Sequence, residues 1–104
     1  MMRTFIKKDV IEKVADKMKV DDKLVAPVVS QMFNSLTEYI IGDDLELRIE
    51  IRDFGVFEVK KTNPKPNARN PRLGKIVHVP ARRKTHFKPG KQIKAALSVP
   101  LDEL

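Results

Sequence analysis

The first apolar stripe of the chain has the period of an α-helix. Apolar residues recur at steps of three and four, with charged residues between them, at Ile6, Val10, Ile11, Val14 and Met18. This spacing predicts a helix that ends near Lys19. Thr4 is the expected N-cap, because a threonine hydroxyl can accept a hydrogen bond from the first turn.

A second, longer stripe follows an aspartate pair. Its members recur at the same helical spacing: Val25, Val28, Val29, Met32, Phe33, Leu36 and Ile40. Asp21 or Asp22 is the expected N-cap, where an acid also suits the positive end of the helix dipole. Pro27 lies beyond the first turn and removes a backbone hydrogen bond, so this helix either starts later or is kinked there.

The second half of the chain has the period of β-strands. Leu47, Ile49 and Ile51 alternate with charged residues, which predicts a half-buried strand that resumes after a turn at Asp53–Gly55. Residues 57–80 read as a long hairpin, with residues 76–79 as the returning strand. Its outer part has almost no apolar face, so it must project into solvent or onto a partner. A short closing helix is expected over residues 88–98.

Charge divides the chain more sharply than its net value of +7 indicates. Residues 1–58 carry nine Lys or Arg against twelve Asp or Glu, whereas residues 59–101 carry twelve basic residues and no acid. A surface that serves only solubility mixes the two signs. The acid-free stretch therefore indicates nucleic acid or another polyanion as the partner.

The sequence disfavours an enzyme and a metal site. Cysteine is absent, and the basic segment around His78 and His86 supplies no carboxylate to orient either ring or to share a metal. No glycine-rich phosphate loop is present, so no catalytic residue, cofactor or small-molecule substrate is expected. Without a signal peptide or a membrane-length apolar run, the expected location is the cytoplasm.

The basic hairpin is the most informative region. A two-stranded ribbon fits a DNA groove, and its cations can neutralise phosphates by displacing counterions. Pro71 lies at the turn between Arg69 and Arg72. On local grounds it is a turn proline. If the arm follows the minor groove, the same residue can act as an apolar wedge between base pairs.

Three segments resemble the signatures of a known family. Residues 48–57 (RIEIRDFGVF), 68–71 (ARNP) and 87–91 (FKPGK) are similar to those of the HU and integration host factor family of bacterial DNA-bending proteins. The resemblance covers roughly residues 6–97. It implies an α+β fold, an intertwined dimer with an α-helical body, a small antiparallel sheet and one long protruding β-hairpin arm per subunit.

The resemblance also implies a domain organisation and a set of functional residues. Residues 1–104 form one DNA-binding domain, with a helical dimerisation part at about 4–46, the sheet and arm at about 47–87 and the C-terminal helix at about 88–98. Pro71 is the intercalating wedge. The implied DNA-binding residues are Lys60, Lys61, Lys65, Arg69, Asn70, Arg72, Lys75, Arg82, Arg83, Lys84, Lys88 and Lys91. The implied core aromatics are Phe54, Phe57 and Phe87.

The chain departs from the family pattern at several points. About four more residues separate Gly42 from Phe54 than is common, and Asp53 stands where a glycine usually precedes Phe-Gly. Thr85 stands where the family often has proline, and Pro27 lies inside the expected second helix.

The expected function is a homodimeric, nucleoid-associated protein that binds and bends double-stranded DNA with little sequence specificity. Two other readings stay open. One is a site-specific bending factor, which can be half of a heterodimer, because such specificity depends on DNA deformability and leaves little trace in motifs. The other is a basic scaffold that binds RNA or an acidic protein through the same arm.

Overall fold

The computed structural model describes residues 1–70 and 74–104, which form two units, Met1–Gly42 and Asp43–Leu104. The first unit holds helices α1 (Lys7–Met18) and α2 (Asp22–Ile41). The second unit holds β1 (Leu47–Ile51), β2 (Gly55–Lys61), β3 (Lys65–Asn70), β4 (Lys75–Val79), β5 (Arg83–Pro89), helix α3 (Lys91–Leu97) and a 3-10 turn (Leu101–Glu103).

Helix α1 begins later than the sequence indicates, so the prediction of Thr4 as its N-cap is wrong. Ile6 occupies the cap position with an extended backbone, and its N–H donates to Oδ2 of Asp9 at 2.7 Å. A carboxylate one turn into the helix thus satisfies the cap amide. The helix ends at Lys19, whose left-handed φ of 57° lets Val20 N–H donate to the Ala15 carbonyl.

Helix α2 starts at the predicted place. The side chain of Asp21 accepts a hydrogen bond from Lys23 N–H at 2.9 Å, which confirms the aspartate cap. Pro27 lies inside the helix, so a later start is ruled out. Proline has no N–H, and the Lys23 carbonyl therefore lacks its ordinary helical donor.

The core of the helical unit is small. Ala15, Val25 and Val29 are buried, and Ile11 and Val14 pack against them. The other members of the predicted α2 stripe are half-buried or exposed, although their spacing is the same. One chain thus covers only a narrow part of the apolar face of α2.

Strand β2 is the centre of a three-stranded antiparallel sheet in the order β1-β2-β5. Ile49 pairs with Phe57, and Phe57 pairs with Phe87 on the other side. Side chains on neighbouring strands in register share a face of a sheet. Leu47, Ile49, Phe57 and Val59 therefore lie on one face, and Arg48, Glu50, Glu58 and Lys60 lie on the other.

The turn between β1 and β2 explains one departure from the family pattern. Asp53 has a left-handed φ of 65°, and Phe54 N–H donates to the Ile51 carbonyl at 3.0 Å. Glycine takes that conformation without cost and aspartate is among the few other residues that tolerate it. Asp53 can therefore occupy this left-handed position of the turn.

Gly55 opens β2 at a place with no room for a side chain. A Cβ atom there would lie 2.5 Å from the Lys88 carbonyl oxygen and 2.7 Å from Cε1 of the Phe87 ring. The close approach lets β2 pair with the end of β5, where Gly55 is in register with Pro89.

The hairpin extends beyond the predicted residues 57–80, because β5 (Arg83–Pro89) also pairs with β2, and it is built from two separate ladders. The inner ladder continues the three-stranded sheet from β2 to β5, down to the pair of Lys61 with Arg83. The outer ladder pairs β3 with β4, from Lys65 opposite Val79 to Asn70 opposite Lys75. Residues 62–64 and 80–82 separate them, and Pro64 and Pro80 lie in these two gaps.

The end of the chain differs from the expected boundaries by three residues. Lys88 and Pro89 pair with Val56 and Gly55 as the last rungs of β5, so α3 begins at Lys91 rather than at residue 88. Gly90 fills the cap position, and its N–H donates to the Phe54 carbonyl at 2.8 Å. Sheet pairing thus extends to the residue before the cap.

Candidate nucleic-acid interface

One face of the three-stranded sheet carries most of its charge. The register of β1, β2 and β5 places the following side chains on it: Arg48, Glu50, Val56, Glu58, Lys60, Lys84, His86 and Lys88. We call this set the polar face. It includes β5, which is far from β1 and β2 in sequence, so local patterns do not reveal it.

The three aromatic residues that the resemblance implied as core cluster together, although none of them is fully buried in the single chain. The ring centroids of Phe57 and Phe87 are 4.8 Å apart, and Phe54 lies 5.5 Å from Phe87 and 6.4 Å from Phe57. These spacings are typical of interacting aromatic pairs. The three rings fix the register of β2 against β5 and so fix the base of the arm. Phe54 remains about half exposed.

A buried carboxylate holds the polar face together. Glu58 is only 3% exposed, yet it is paired on both oxygens. Lys88 Nζ lies 2.9 Å from its Oε1, and Nη2 of Arg48 lies 3.2 Å from its Oε2. Arg48 also reaches Glu50 with Nη1 at 3.3 Å. A buried charge is tolerated when it is paired in this way.

These contacts set the ionisation of Glu58. The hydrogen bond from Lys88 lowers the pKa of the Glu58 carboxyl below its usual 4.5, against the opposing effect of burial, and Arg48 and Lys60 add to the lowering. The carboxyl therefore stays charged in the folded protein to lower pH than in the unfolded chain.

Folding stability should fall in acid because of this carboxyl. Its pKa is lower in the folded than in the unfolded state, so its contribution is complete above about pH 4.5 and is lost as the pH falls through the folded value. We expect Glu58→Gln to lower the free energy of unfolding at pH 7 and to flatten its decline between pH 5 and 3, roughly the range over which carboxyls titrate. Urea denaturation at fixed protein concentration measures both.

Glu12→Gln is the matched control for this prediction. Its carboxylate is exposed and its ion-pair partner is Lys8, at 3.9 Å on the helix surface. Such pairs contribute little to stability. If Glu12→Gln flattens the pH profile as strongly as Glu58→Gln, the buried cluster is not the origin of the acid sensitivity.

The base of the arm concentrates positive charge on two adjacent rungs. Lys60 lies directly opposite Lys84, and Lys61 lies directly opposite Arg83. All four side chains are exposed. Nη1 of Arg83 also donates to the Asp44 carbonyl at 3.0 Å, which fixes its guanidinium against the chain before β1. Four of the predicted DNA-binding residues are thus brought together.

A hydrogen-bonded joint connects the two ladders of the arm. Thr62 N–H donates to the Arg82 carbonyl at 2.6 Å, and Arg82 N–H donates back to the Thr62 hydroxyl at 3.0 Å. The hydroxyl replaces a backbone acceptor at the point where regular pairing stops. Arg82 thereby stays close to Thr62 although it lies outside both ladders.

The outer ladder contains the remaining arm residues of the prediction. Lys65 opens β3 with an exposed side chain, and the backbones of Arg69 and Asn70 pair with those of Ile76 and Lys75. Pro71 and Arg72 lie outside the described residues. Their predicted roles in DNA binding remain predictions.

Two predicted phosphate-binding residues lie at the other end of β5. Lys91 is the first residue of α3 and is exposed. Lys88 lies three residues earlier, in β5. Its side chain is on the polar face, where it pairs with Glu58. Part of the donor capacity of Lys88 is therefore already used within the protein.

Sequence reasoning missed three residues that shape this surface. Arg48 and Glu58 form the buried ion-pair cluster, and Thr62 forms the joint of the arm. Their signals are weak: Arg48 reads as one outward position of an alternating strand, and Glu58 is the last acid before the basic stretch. Only the pairing of distant strands shows what they contact.

Among residues 1–70 and 74–104, no helix is long and apolar enough to cross a membrane. Within the same described part of the chain, no three His, Asp or Glu side chains form a group that could hold a metal ion.

Comparison with known proteins gives consistent matches over most of the chain. A family model described as bacterial DNA-binding protein matches residues 5–98. The probable DNA-binding protein HU of Chlamydia trachomatis is 34% identical over 100 residues, covering 95% of this chain and 96% of that protein. Integration host factor subunit beta of Methylococcus capsulatus is 36% identical over 89 residues, covering 85% and 90%.

A solved structure matches at the level of the fold. The cocrystal structure of Anabaena HU with DNA has a TM-score of 0.77 at 24% identity, and it covers 92% of this chain and 100% of that one. This similarity confirms the predicted α+β fold with its small antiparallel sheet and β-hairpin arm.

Proposed function

Because the chain belongs to the bacterial DNA-binding protein family of HU and integration host factor, we propose that it binds double-stranded DNA through the minor groove and the phosphate backbone and bends it. Family members are histone-like architectural proteins rather than enzymes, which confirms the predicted class of protein. The observation that carries the proposal is the arm, whose two strands place lysines and arginines on adjacent rungs without any acid.

Binding has two parts with different physical origins. Lys60, Lys61, Arg83 and Lys84 neutralise phosphates, which supplies affinity without reading sequence. Pro71 supplies the bend, because an apolar wedge that enters the minor groove unstacks a base step and kinks the duplex. Arg69, Asn70, Arg72 and Lys75 adjoin the wedge in sequence and support it.

The remaining cations of the proposed interface differ in how much charge they can offer. Lys65, Arg82 and Lys91 complete the interface along the arm and at α3. Lys88 retains further N–H donors beside the one that faces Glu58, so it contributes to phosphate binding less than an unpaired lysine would. The protein organises the nucleoid in this reading.

The salt dependence of binding tests the electrostatic part. Each neutralised phosphate adds about −0.9 to the slope of log K against log[salt], so Lys84→Gln should make the slope shallower by about two in a dimer. Lys88→Gln should change the slope less. Part of the charge of Lys88 is already neutralised by Glu58, so its removal takes less positive charge from the DNA interface. Fluorescence anisotropy on a short duplex at several salt concentrations measures both slopes.

Lys13→Gln is the matched control for the slope, since Lys13 is an exposed lysine of α1. It should leave the slope at the parent value. A slope near zero for the parent protein, or an equal change in all three variants, would contradict binding through the arm.

The exposed face of α2 supports a homodimer. Leu24, Val28 and Tyr39 are each about two-thirds exposed in the single chain, and Met32 is about half exposed. An apolar surface of this kind is stabilised when a second copy covers it. Two arms from two subunits also provide the two wedges that a bend between them needs.

The unfolding midpoint should therefore rise with protein concentration. Val28→Glu should weaken the dimer at least tenfold, because it places a charge where apolar contact is required. Asn34→Glu, at an exposed position on another side of α2, is the control and should leave the dimer intact. Sedimentation equilibrium measures the dimer dissociation constant of the two variants. A folded parent monomer at low micromolar concentration would exclude the obligate dimer.

Similarity to integration host factor subunits supports a second candidate, a site-specific bending factor in a heterodimer. Competition between random duplexes and duplexes enriched from a random pool distinguishes the two functions. Equal affinity for both sets supports the non-specific protein. Enriched duplexes that bind at least a thousandfold more tightly, as specific sites typically do, support the site-specific factor.

A further inference from the structure

A half-open cleft of about 550 Å³ lies at the joint of the arm. Four of the residues that line it are cations, Lys65, Arg82, Arg83 and Lys84, and Thr62 and Asn63 add polar groups. No Asp or Glu is among the described residues of the lining, and none occurs in the sequence from 59 to 101. A water molecule takes roughly 30 Å³ in the liquid, so the cleft admits a hydrated phosphate group.

The ladder next to the cleft is electrostatically unfavourable by itself. Lys60 faces Lys84 and Lys61 faces Arg83, and like charges directly opposite each other destabilise an antiparallel pair. The hydrogen bond from Nη1 to the Asp44 carbonyl at 3.0 Å holds the Arg83 guanidinium beside the chain before β1. Repulsion is therefore concentrated where the inner ladder ends.

The joint itself cannot offset this repulsion by regular pairing. Thr62 and Arg82 contribute two hydrogen bonds, but Pro64 and Pro80 have no N–H to donate on the side of the outer ladder. An anion in the cleft would lie among the four cations of its lining, Lys65, Arg82, Arg83 and Lys84. It would reduce the repulsion and supply acceptors to several donors at once.

We propose that this cleft binds a phosphate group and that its occupancy stabilises the pairing of β2 with β5 at the root of the arm. Anion binding and arm pairing are then thermodynamically linked, because a ligand that binds the paired state more tightly shifts the population toward it. The inference rests on the proposed function for its ligand class. The phosphate comes either from the DNA backbone or from free phosphate and pyrophosphate.

Hydrogen exchange without DNA tests the linkage. The backbone amides of residues 60–62 and 83–85 should exchange about threefold to tenfold more slowly in pyrophosphate than in sodium chloride of equal ionic strength, the range expected for relief of two like-charge rungs. Amides of the β1–β2 ladder serve as the internal control and should not change. Equal exchange in the two salts would overturn the proposal, because screening alone would then explain any effect.

Two variants make the test specific to charge. Lys61→Glu places an acid opposite Arg83, so exchange at the root should slow without any anion and respond less to pyrophosphate. Lys84→Gln removes both a like-charge rung and a cation of the cleft, and it should give the same pattern. Lys94→Glu in α3 is the matched control and should behave as the parent. A full pyrophosphate response in both root variants would also overturn the proposal.

The DNA arm of the experiment separates this inference from the proposed function. A short duplex is added at saturating concentration and the same amides are followed. If DNA binds but neither duplex nor pyrophosphate slows exchange at the root, the linkage is wrong and the DNA-binding function stands. If pyrophosphate slows exchange but the duplex does not bind, the cleft is a site for free phosphate and the proposed function fails.

Discussion

Replacing Gly55 by alanine should unfold the three-stranded sheet under conditions in which the parent protein is folded. The new Cβ would lie 2.5 Å from a backbone carbonyl and under 3 Å from two atoms of the Phe87 ring. Neither group can move freely, since the carbonyl belongs to β5 and the ring packs on Phe57. Overpacking of this kind costs typically 1–3 kcal/mol or more, a large part of the stability of a small domain.

Thermal denaturation followed by circular dichroism measures this effect, with Gly42→Ala as the matched control. Gly42 has an ordinary negative φ, and a Cβ there comes no closer than 3.4 Å to another atom. That variant should keep a melting temperature close to the parent's. If Gly55→Ala melts within about 2 °C of the parent, a shift that corresponds to well under 1 kcal/mol, the packing at the start of β2 is looser than described.

Replacing Pro71 by alanine should remove most of the DNA bend while leaving binding largely intact. Pro71 has no charge, so it adds little to the phosphate-driven part of affinity. Its proposed role is to occupy an opened base step. Minor-groove architectural proteins, HU and integration host factor among them, kink DNA by roughly 20–90° through such wedges. End-to-end energy transfer on a labelled duplex measures the bend, and the salt slope should stay at the parent value.

The double variant Arg69→Ala with Arg72→Ala is the counterpart to this experiment. It should weaken binding and make the salt slope shallower, since it removes charge and keeps the wedge. On nicked DNA, Pro71→Ala should lose less affinity than on intact duplex, because the unstacking cost is already met there. A Pro71→Ala protein that bends intact duplex as fully as the parent would show that Pro71 is only a turn residue.

The helices illustrate what the sequence can and cannot predict. Their apolar stripes set their existence and their approximate ends, because helical periodicity is a local property. The N-cap of α1 was misplaced since Asp9, and not Thr4, satisfies the amide of Ile6. Which part of the α2 stripe is buried within one chain depends on how much of it α1 covers, and no local pattern contains that information.

Strand β5 shows the limit more clearly. Residues 83–89 contain one large apolar residue, Phe87, among several cations and a proline, which is not a strong strand pattern. They form a strand because β2 presents Phe57 and Val59 in register with Phe87 and Thr85. The prediction that a helix opens at Lys88 was wrong for the same reason. Pairing with a distant strand overrides the local preference.

Some residues of the candidate site could be predicted from the sequence and others could not. The cations of the arm could be predicted because a long run without acids is visible in the sequence itself. Glu58 could not, because glutamate is rarely buried, and its partners Arg48 and Lys88 lie on two different strands. The sequence therefore predicts the charge of the surface well and the contacts that hold it in place poorly.

The division of the arm into two ladders also bears on how the chain folds. Pairing of β2 with β5 before the arm forms would require closing a loop of residues 62–82, and loop closure costs entropy that grows with length. The β3–β4 hairpin is local and can form first, which brings Lys65 beside Val79. Only the short gaps at 62–64 and 80–82 then separate the ends of β2 and β5. The outer arm thus shortens the search for the sheet beneath it and can serve folding before it ever meets DNA.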